Sequence, residues 1–342
     1  MSAMEGYNVF KTPSAPLCME NRIAVVLFNL GGPLSLQSVE GFLFNLFSDP
    51  DIFKLPFGFI TQKVFASIFS KRRLRAAQAG YAAIGGRSPL LENTEKQAAA
   101  LQQALSKEGC YDVHICMRYW HPLTAQAVAG LKQAQYAKVI LLPLYPQYST
   151  TTTGSSYNEF LRQCEQQHYH PQIIFIEHWH EQSDYQQAII ESIELEAKNF
   201  SRADPNDISL LFSAHGLPQK IVNNGDPYER HIAATYKSLK EKLNWPHVAL
   251  CYQSRVGPLK WLRPYTDQVI LEQAAAGVKQ MLVYPIAFVS DHVETLYELG
   301  MVYAKLAQQA GVREYRVVPA LNDHPLLIRS LKQLALSALA QS

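Results

Sequence analysis

Three carboxylates and a histidine recur at helical spacing near the end of the chain. Asp291, Glu294 and Glu298 are three and four residues apart, which places them on one face of a helix, and His292 lies beside them. Carboxylate and imidazole groups together suit a divalent metal such as ferrous iron. Asp291 and Glu294 equally fit a helix cap and capping box, so that alternative stays open for these two residues. Capping does not explain Glu298, because a like-charge pair with Glu294 costs a few tenths of a kcal/mol.

A second histidine is predicted to face the same site. The segment 281–289, MLVYPIAFV, has no charge and predicts a strand covered on both faces, with the acidic helix beginning near Ser290. His215 ends another apolar segment and is followed by Gly216. Parallel strands end at one edge of a sheet, where such folds place ligands, so His215 is expected beside the acidic helix. Its imidazole could accept protons or bind ferrous iron.

The two halves of the chain repeat one plan of strand, glycine loop, helix, strand, helix and proline-bearing strand. This repeat predicts an α/β fold with two similar units, each a parallel sheet flanked by helices, facing one another across a cleft. The expected divisions are a flexible lead-in over 1–20, a first domain over 21–177, a second over 178–325 and a helix over 326–342.

The length and composition of the chain limit the kinds of molecule that it could bind. At 342 residues the chain exceeds one usual core, and a net charge of +2 with scattered basic residues argues against nucleic acid. The five cysteines lack metal-type spacing, which predicts a reducing compartment without a disulfide framework. The first residues show no basic region followed by an apolar stretch, so a cytoplasmic protein is expected.

An apolar lip is expected over about residues 42–75. Apolar residues recur there at helical spacing and basic residues follow: Phe57, Ile60, Val64, Phe65, Ile68, then Lys71, Arg72, Arg73 and Arg75. The stripe either packs on the first domain or touches a membrane surface or an apolar ligand. No stretch approaches about 18 uninterrupted apolar residues, so no span is predicted.

Several loops have alternative interpretations. The two glycines of GGP at 31–33 suggest close approach to a ligand, although the dinucleotide fingerprint is missing. YPQYSTTTTGSS at 145–156 is either an anion-binding loop or a solvated loop with a helix cap. His178 and His180 have no third partner near them in the sequence, so they are predicted to be surface or supporting residues rather than metal ligands.

A series of motifs over residues 22–325 resembles the ferrochelatases, enzymes that insert ferrous iron into a porphyrin. The motifs are LGGP at 30–33, IGGRSP at 84–89, RYWHP at 118–122, YPQYS at 145–149, FSAHGLP at 212–218, GDPY at 225–228, QSRVGP at 253–258 and PIAFVSDHVETLYEL at 285–299. The resemblance implies two Rossmann-like domains of the chelatase type. It also implies the final reaction of haem synthesis, with protoporphyrin IX and ferrous iron as substrates and two protons released.

Roles for individual residues follow from this resemblance. His215 would be iron ligand or acceptor of pyrrole protons, and Glu294 the second metal-binding or proton-relay group. Asp291, His292 and Glu298 would form an acidic path for metal or protons. Positions near the macrocycle would be Leu30, Tyr81, Arg118, Tyr119, Trp261 and Phe288.

The resemblance also sets expectations for cofactors and partners. Eukaryotic relatives bind an iron–sulfur cluster through cysteines near the C-terminus, but this chain has none beyond Cys251, so no cluster and no other resident cofactor is expected. The chain ends near the end of the match, which favours a monomer, with peripheral membrane contact through the lip. Coproporphyrin as substrate, a chelatase for cobalt or nickel, and a carrier without turnover stay open, and the lip and RYWHP favour protoporphyrin.

Overall fold

The first half of the chain forms a four-stranded parallel sheet flanked by helices. The computed structural model describes residues 22–53 and 58–342, so the expected lead-in over 1–20 and Phe57 lie outside the described residues. Strand order is β2-β1-β3-β4. The elements are β1 (Ile23–Asn29), α1 (Val39–Phe47), α2 (Phe59–Ala83), α3 (Leu90–Leu105), β2 (Tyr111–Met117), α4 (Thr124–Gln133), β3 (Lys138–Pro143), a π-helix (Thr150–Gly154), α5 (Ser155–Gln166) and β4 (Gln172–Phe175).

The second half repeats this arrangement, with the strand order β6-β5-β7-β8. Its elements are α6 (Ser183–Ala197), β5 (Ile208–His215), α7 (Gln219–Asn223), α8 (Tyr228–Leu243), β6 (Val248–Gln253), α9 (Thr266–Ala275), β7 (Gln280–Tyr284), a π-helix (Glu294–Tyr303), α10 (Ala304–Gln309), β8 (Glu314–Val317) and α11 (Pro325–Ala340). The predicted α/β class with two similar parallel sheets is therefore confirmed. Strand β8 was not expected, because its four residues are only half-buried and form no apolar run.

The acidic segment after β7 differs from the expected α-helix. Asp291 and His292 lie outside any helix or strand, directly after a bend at residues 289–290, and the ten residues Glu294–Tyr303 form a π-helix. Bonds from i to i+5 are rare in proteins and occur mostly at functional sites, and the apolar pattern does not distinguish them from α-helical bonds.

One continuous core joins the two sheets. It contains Val25 and Leu27 from β1, Leu210 and Phe212 from β5 and Leu327 from α11. Helix α11 packs against α3 in the first unit and α6 at the start of the second half. The expected domain division at 177 and 178 stays a prediction, since apolar burial does not stop there.

Polar contacts also link the two halves. The side chain of Gln97 on α3 is fully buried, and its Nε2 donates to Ser290 Oγ at 3.0 Å and to the Asn322 carbonyl at 2.7 Å. Asn93 Nδ2 donates to the Asp291 carbonyl at 3.2 Å. Helix α3 therefore fixes the segment that precedes the π-helix.

Helix α2, part of the expected lip, buries small and polar side chains and exposes apolar ones. Its buried face carries Gln62, Ala66 and Ser70, whereas Val64 and Ile68 are 55% and 52% exposed. The interpretation of the apolar stripe as core is therefore wrong for Val64 and Ile68. No helix of the described residues is long and apolar enough to cross a membrane.

The glycines of GGP approach protein rather than open space. Gly31 has a φ of +80°, and a Cβ there would lie 2.9 Å from the backbone nitrogen of Trp120. A Cβ on Gly32 would collide with Ser88. The expectation of close approach is correct, but the neighbours are loops of the same unit.

One cysteine departs from the expected thiol state. Cys116, Cys164 and Cys251 are free and buried, but Cys110 is disulfide-bonded. The sequence predicts a chain without a disulfide framework, and because a bond at Cys110 alone does not make one, this stays a prediction. The sequence around Cys110 has no paired spacing that would indicate a bond.

Replacing Gln97 with alanine should lower the free energy of unfolding by about 1 to 3 kcal/mol, because buried partners on Ser290 and Asn322 lose their donor. Gln103→Ala, on the exposed face of the same helix, is the matched control and should change it by less than about 0.5 kcal/mol. Urea denaturation followed by circular dichroism measures both. Equal effects would show that the link between α3 and this segment contributes nothing.

Candidate active site

His215 lies at the carboxyl end of β5, and one of its ring nitrogens forms a hydrogen bond. Its Nδ1 is 2.7 Å from the Gly216 carbonyl oxygen, which can only accept, so Nδ1 carries the proton. Nε2 is then left with its lone pair, and the side chain is partly exposed. Tyr228 fixes the backbone here by donating its hydroxyl to the His215 carbonyl at 2.9 Å. The residue can therefore accept a proton or bind a metal.

Close packing beside His215 depends on Gly216. A Cβ at this position would lie 2.9 Å from the Gln253 carbonyl oxygen and 3.3 Å from the ring of Trp261. Trp261 is held by its Nε1, which donates to the Val256 carbonyl at 3.0 Å. The structure therefore brings the indole of Trp261, a predicted wall residue, next to the segment that carries His215.

His292 and Glu294 form a pair with an unpartnered nitrogen. The Nδ1 of His292 donates to the Ser290 carbonyl at 3.1 Å, so its Nε2 has a lone pair. Nε2 lies 3.1 Å from Glu294 Oε2, yet this buried nitrogen makes no hydrogen bond. A lone pair facing a carboxylate is unfavourable unless a proton or a cation is shared between them.

Aromatic rings line the space around these groups. The Phe288 ring is 6.3 Å from the His215 ring and 4.2 Å from the His292 ring, between centroids. Tyr81 is buried, and its pKa is raised by burial and then by the charge of Glu294, so its hydroxyl stays protonated. Phe288 thus lies beside the two histidines and Tyr81 lies near Glu294, while the role of both as wall residues stays a prediction.

The histidine and the acidic pair remain separate. Among the described residues, His215, His292 and Glu294 do not belong to a group whose metal-binding atoms all lie within 4.8 Å of one another. The structure therefore places the two chemical groups near the same aromatic ring without closing them into one compact metal centre.

Asp291 is occupied by structural hydrogen bonds. Its Oδ1 accepts from Thr295 Oγ1 at 2.8 Å and from the Ala320 nitrogen at 3.2 Å, and its Oδ2 accepts from Asn322 Nδ2 at 2.9 Å. These bonds join the segment before the π-helix to the loop after β8. A path role for Asp291 stays a prediction.

Glu298 holds the π-helix to the end of β6. Its carboxylate accepts from the Ser254 nitrogen at 3.0 Å, from Gln253 Nε2 at 3.3 Å and from the Tyr303 hydroxyl at 3.1 Å. Burial and then Glu298 raise the pKa of Tyr303, so this phenol stays a donor. A path role for Glu298 also stays a prediction.

Arg118 and Tyr119 belong to a buried network in the first unit. Arg118 Nη2 is 3.0 Å from Asp49 Oδ1, and the Tyr119 hydroxyl donates to Asp49 Oδ2 at 2.6 Å. Arg118 Nε also donates to Ser155 Oγ at 2.8 Å. Leu30 joins this region through its carbonyl, which accepts from the Tyr119 nitrogen at 2.8 Å. In the described structure no contact joins this network to His215 or Glu294.

Two buried carboxylates were not predicted as functional residues, although Asp226 lies in the GDPY motif at 225–228. Asp49 is 1% exposed, and no motif marked it, because its partners are far away in the chain. Asp226 accepts from the Thr150 nitrogen at 2.7 Å and from Ser149 Oγ at 2.9 Å, and its other oxygen accepts from the Tyr228 nitrogen at 2.9 Å. The loop at 145–156 therefore does bind an anion, namely a carboxylate of the second unit.

The sequence is similar to ferrochelatases over almost its whole length. A family model described as Ferrochelatase matches residues 22–339. The ferrochelatase of a Cyanothece species is 47% identical over 324 residues, covering 93% of this chain and 83% of that protein. The ferrochelatase of Trichodesmium erythraeum is 44% identical over 325 residues, covering 93% and 83%.

Solved structures share the fold at low identity. SirB from Bacillus subtilis with Fe3+ has a TM-score of 0.55 and 10% identity, covering 94% of this chain and 96% of that one. The sirohydrochlorin chelatase SirB from Bacillus subtilis subspecies spizizenii in complex with cobalt gives 0.54 and 8% over 94% and 96%. These likenesses confirm the chelatase type of α/β fold.

Changing Asp49 to asparagine should destabilise the protein by about 3 kcal/mol or more, because it leaves the buried charge of Arg118 without its carboxylate. Asp51→Asn is the control, since Asp51 pairs with Arg162 near the surface at 2.7 Å, and should cost less than about 1 kcal/mol. Thermal and urea unfolding measure the difference. A similar loss in both variants would contradict a special contribution from the Asp49 network.

Proposed function

The chain belongs to the ferrochelatase family, and we propose that it inserts ferrous iron into protoporphyrin IX, forming protohaem and releasing two protons in the last step of haem synthesis. The observation that carries this proposal is the pairing of chemistry around Phe288. The Phe288 ring lies 6.3 Å from the His215 ring, whose Nε2 makes no bond to Gly216, and 4.2 Å from the His292 ring, whose Nε2 is 3.1 Å from Glu294 Oε2. Metal insertion needs both a proton acceptor and metal ligands.

His215 is proposed as the acceptor of pyrrole protons. In the neutral tautomer favoured by the Gly216 carbonyl, Nε2 carries the lone pair, and when it takes a proton the carbonyl remains bonded to Nδ1–H and stabilises the resulting imidazolium. A positioned base of this kind contributes roughly 100-fold to 10,000-fold to the rate. Its partly exposed ring allows the proton to pass on to solvent.

Glu294 and His292 are proposed to receive the metal. A metal bound to both at about 2.1 Å would separate neighbouring ligand atoms by about 3.0 to 3.4 Å. The observed separation of His292 Nε2 and Glu294 Oε2 is 3.1 Å, so little movement is needed. The Glu294 side chain is 32% exposed, so hydrated iron can reach it from solvent. His215 as a further iron ligand remains part of the proposal.

Asp291 and Glu298 are proposed to assist through their charge. Both lie beside the Glu294 segment, and their carboxylates give the approach a negative potential that attracts cations. Their hydrogen bonds to Thr295, Asn322 and Ser254 keep them in place. In this proposal, metal or protons move past these two residues and His292.

The porphyrin is proposed to lie against aromatic and apolar side chains. Phe288, Trp261 and Tyr81 supply rings, and Leu30 with the Arg118–Tyr119 pair supplies the wall of the first unit. Contacts along the ring would hold the macrocycle ruffled, at a strain of about 1 to 5 kcal/mol, and so expose its nitrogens. Because Arg118 is bound to Asp49, it is proposed to shape the wall rather than pair with a propionate.

The exposed apolar face of α2 favours protoporphyrin over the more carboxylated coproporphyrin. The exposed side chains of Val64 and Ile68 are followed by four exposed cations, Lys71, Arg72, Arg73 and Arg75. Such a combination suits an anionic membrane surface. We therefore propose a cytoplasmic protein that touches the inner face of the membrane through this helix.

No resident cofactor or iron–sulfur cluster is part of this proposal. Cys116, Cys164 and Cys251 are buried and lie outside any described group of metal-binding atoms within 4.8 Å of one another. We propose a monomer, which sedimentation velocity of the purified chain would check by its mass.

Substituting His215→Ala or Glu294→Gln should slow iron insertion at least about 100-fold, because each removes a proton acceptor or a metal ligand. The measurement is anaerobic loss of porphyrin fluorescence with ferrous iron and protoporphyrin. His247→Ala and Glu272→Gln, both exposed and outside the site, should keep the wild-type rate.

The same assay separates the alternatives. A higher kcat/KM with coproporphyrin would reassign the substrate, and turnover only of sirohydrochlorin with cobalt or nickel would indicate another chelatase. Tight haem binding without turnover of any tetrapyrrole would support a carrier and reject metal insertion.

Replacing Val64 and Ile68 together by serine should reduce the partition coefficient onto vesicles containing anionic phospholipid at least about tenfold, because two inserted apolar side chains are lost. Co-sedimentation with liposomes measures it. Leu195→Ser, at a 66% exposed leucine on α6, is the control and should bind as wild type does. Equal recovery of the double variant and wild type would contradict membrane contact through α2.

A further inference from the structure

Three histidines come together at the junction of the two units. His178 and His180 follow β4, and His231 lies in the first turn of α8. Their ring centroids are 4.2 to 5.2 Å apart, and the three offer ligand atoms that all lie within 4.8 Å of one another. In the described part of the chain no other group of three or more histidines, cysteines or carboxylates is this compact.

His180 is buried without a partner for one ring nitrogen. The residue is 3% exposed, and its Nδ1 makes no hydrogen bond. Burial, and then the neighbouring His231 and His178, lower the pKa of His180 to about 4, so its ring is neutral and retains a lone pair at physiological pH. An unsatisfied buried imidazole between two others is well explained by an ion that all three share.

His231 connects this cluster to the loop before the first π-helix. The Tyr148 backbone nitrogen donates to His231 Nδ1 at 3.2 Å. A metal at Nδ1 would take the lone pair, and a metal at Nε2 would require the proton on Nδ1, so either mode ends this hydrogen bond. The adjacent residues Ser149 and Thr150 stay fixed by Asp226. Metal binding at this cluster would therefore break the hydrogen bond between Tyr148 of the first unit and His231 of the second.

We propose that His178, His180 and His231 bind one divalent first-row transition metal of the zinc type, at a site separate from iron insertion. Three imidazoles without a carboxylate suit zinc, cobalt, nickel or copper rather than magnesium or calcium. His178 is exposed, so water can occupy a fourth position. The bound ion ties the segment after β4 to α8. The sequence had predicted supporting roles for His178 and His180, because their third partner, His231, lies on α8.

Zinc alone, titrated into the metal-free full-length chain by calorimetry, tests this site. Wild type should bind one more zinc ion than His178→Ala. His178 is exposed, so its replacement should not disturb folding. His231→Ala should also bind one zinc ion fewer than wild type. Loss of one ligand should weaken zinc binding at least about 100-fold, beyond the effect of losing an outer partner. His170→Ala, exposed just before β4, is the matched control and should keep the wild-type stoichiometry.

A second comparison distinguishes the proposed zinc site from the iron-insertion site. A His292→Ala, Glu294→Gln variant should retain zinc at the histidine cluster and show the visible bands of four-coordinate cobalt when cobalt replaces zinc. Zinc should raise the Tm of that variant and of wild type by a few degrees, and His178→Ala should lose this rise. Equal binding by His178→Ala and His170→Ala, or loss of all zinc binding in the His292, Glu294 variant, would overturn the proposal. Either result leaves the iron-insertion assay unaffected.

Discussion

The parallel pairing of β5 with β7 is the interaction on which the candidate site depends. Both strands are buried on both faces and run in the same direction, so the residues that follow them emerge at one edge. His215 ends β5, and the segment and π-helix after β7 carry His292 and Glu294. The two strands are mainly apolar and buried, and His215, His292 and Glu294 come only where the strands end, so the separation of these residues in sequence becomes irrelevant.

The long apolar runs made much of this arrangement predictable. β1, β5 and β7 are mainly apolar segments, although β5 contains Ser209 and Ser213, and the order of strands and glycine loops repeats, so the two sheets and the position of His215 follow from the sequence. The π-helix does not follow, because i to i+5 bonding leaves an apolar pattern close to that of an α-helix. Asp49 and His231 could not be found either, because each acts on partners distant in sequence and neither belongs to a local pattern. Asp226 lies in the GDPY motif, but its partners Ser149 and Thr150 are distant in sequence, so the motif did not indicate this contact.

The three carboxylates of the acidic segment do not share one role. The carboxylate of Asp291 accepts hydrogen bonds that join the segment before the π-helix to the loop after β8. The carboxylate of Glu298 accepts hydrogen bonds that join the π-helix to the end of β6. Glu294 alone among the three faces the unpartnered nitrogen of His292. Spacing grouped the three carboxylates, but donors on other elements, such as Asn322 and Ser254, leave only Glu294 without such partners, and this the sequence could not show.

The position of α11 has a consequence for how the chain is made. This helix follows all the other described elements in the chain, yet it packs against α3 and the first sheet. During translation, the apolar surface that Leu327 and Leu331 later cover stays exposed until residues 325–340 have left the ribosome. The first half therefore cannot complete its own burial when it emerges, despite having a full set of four strands.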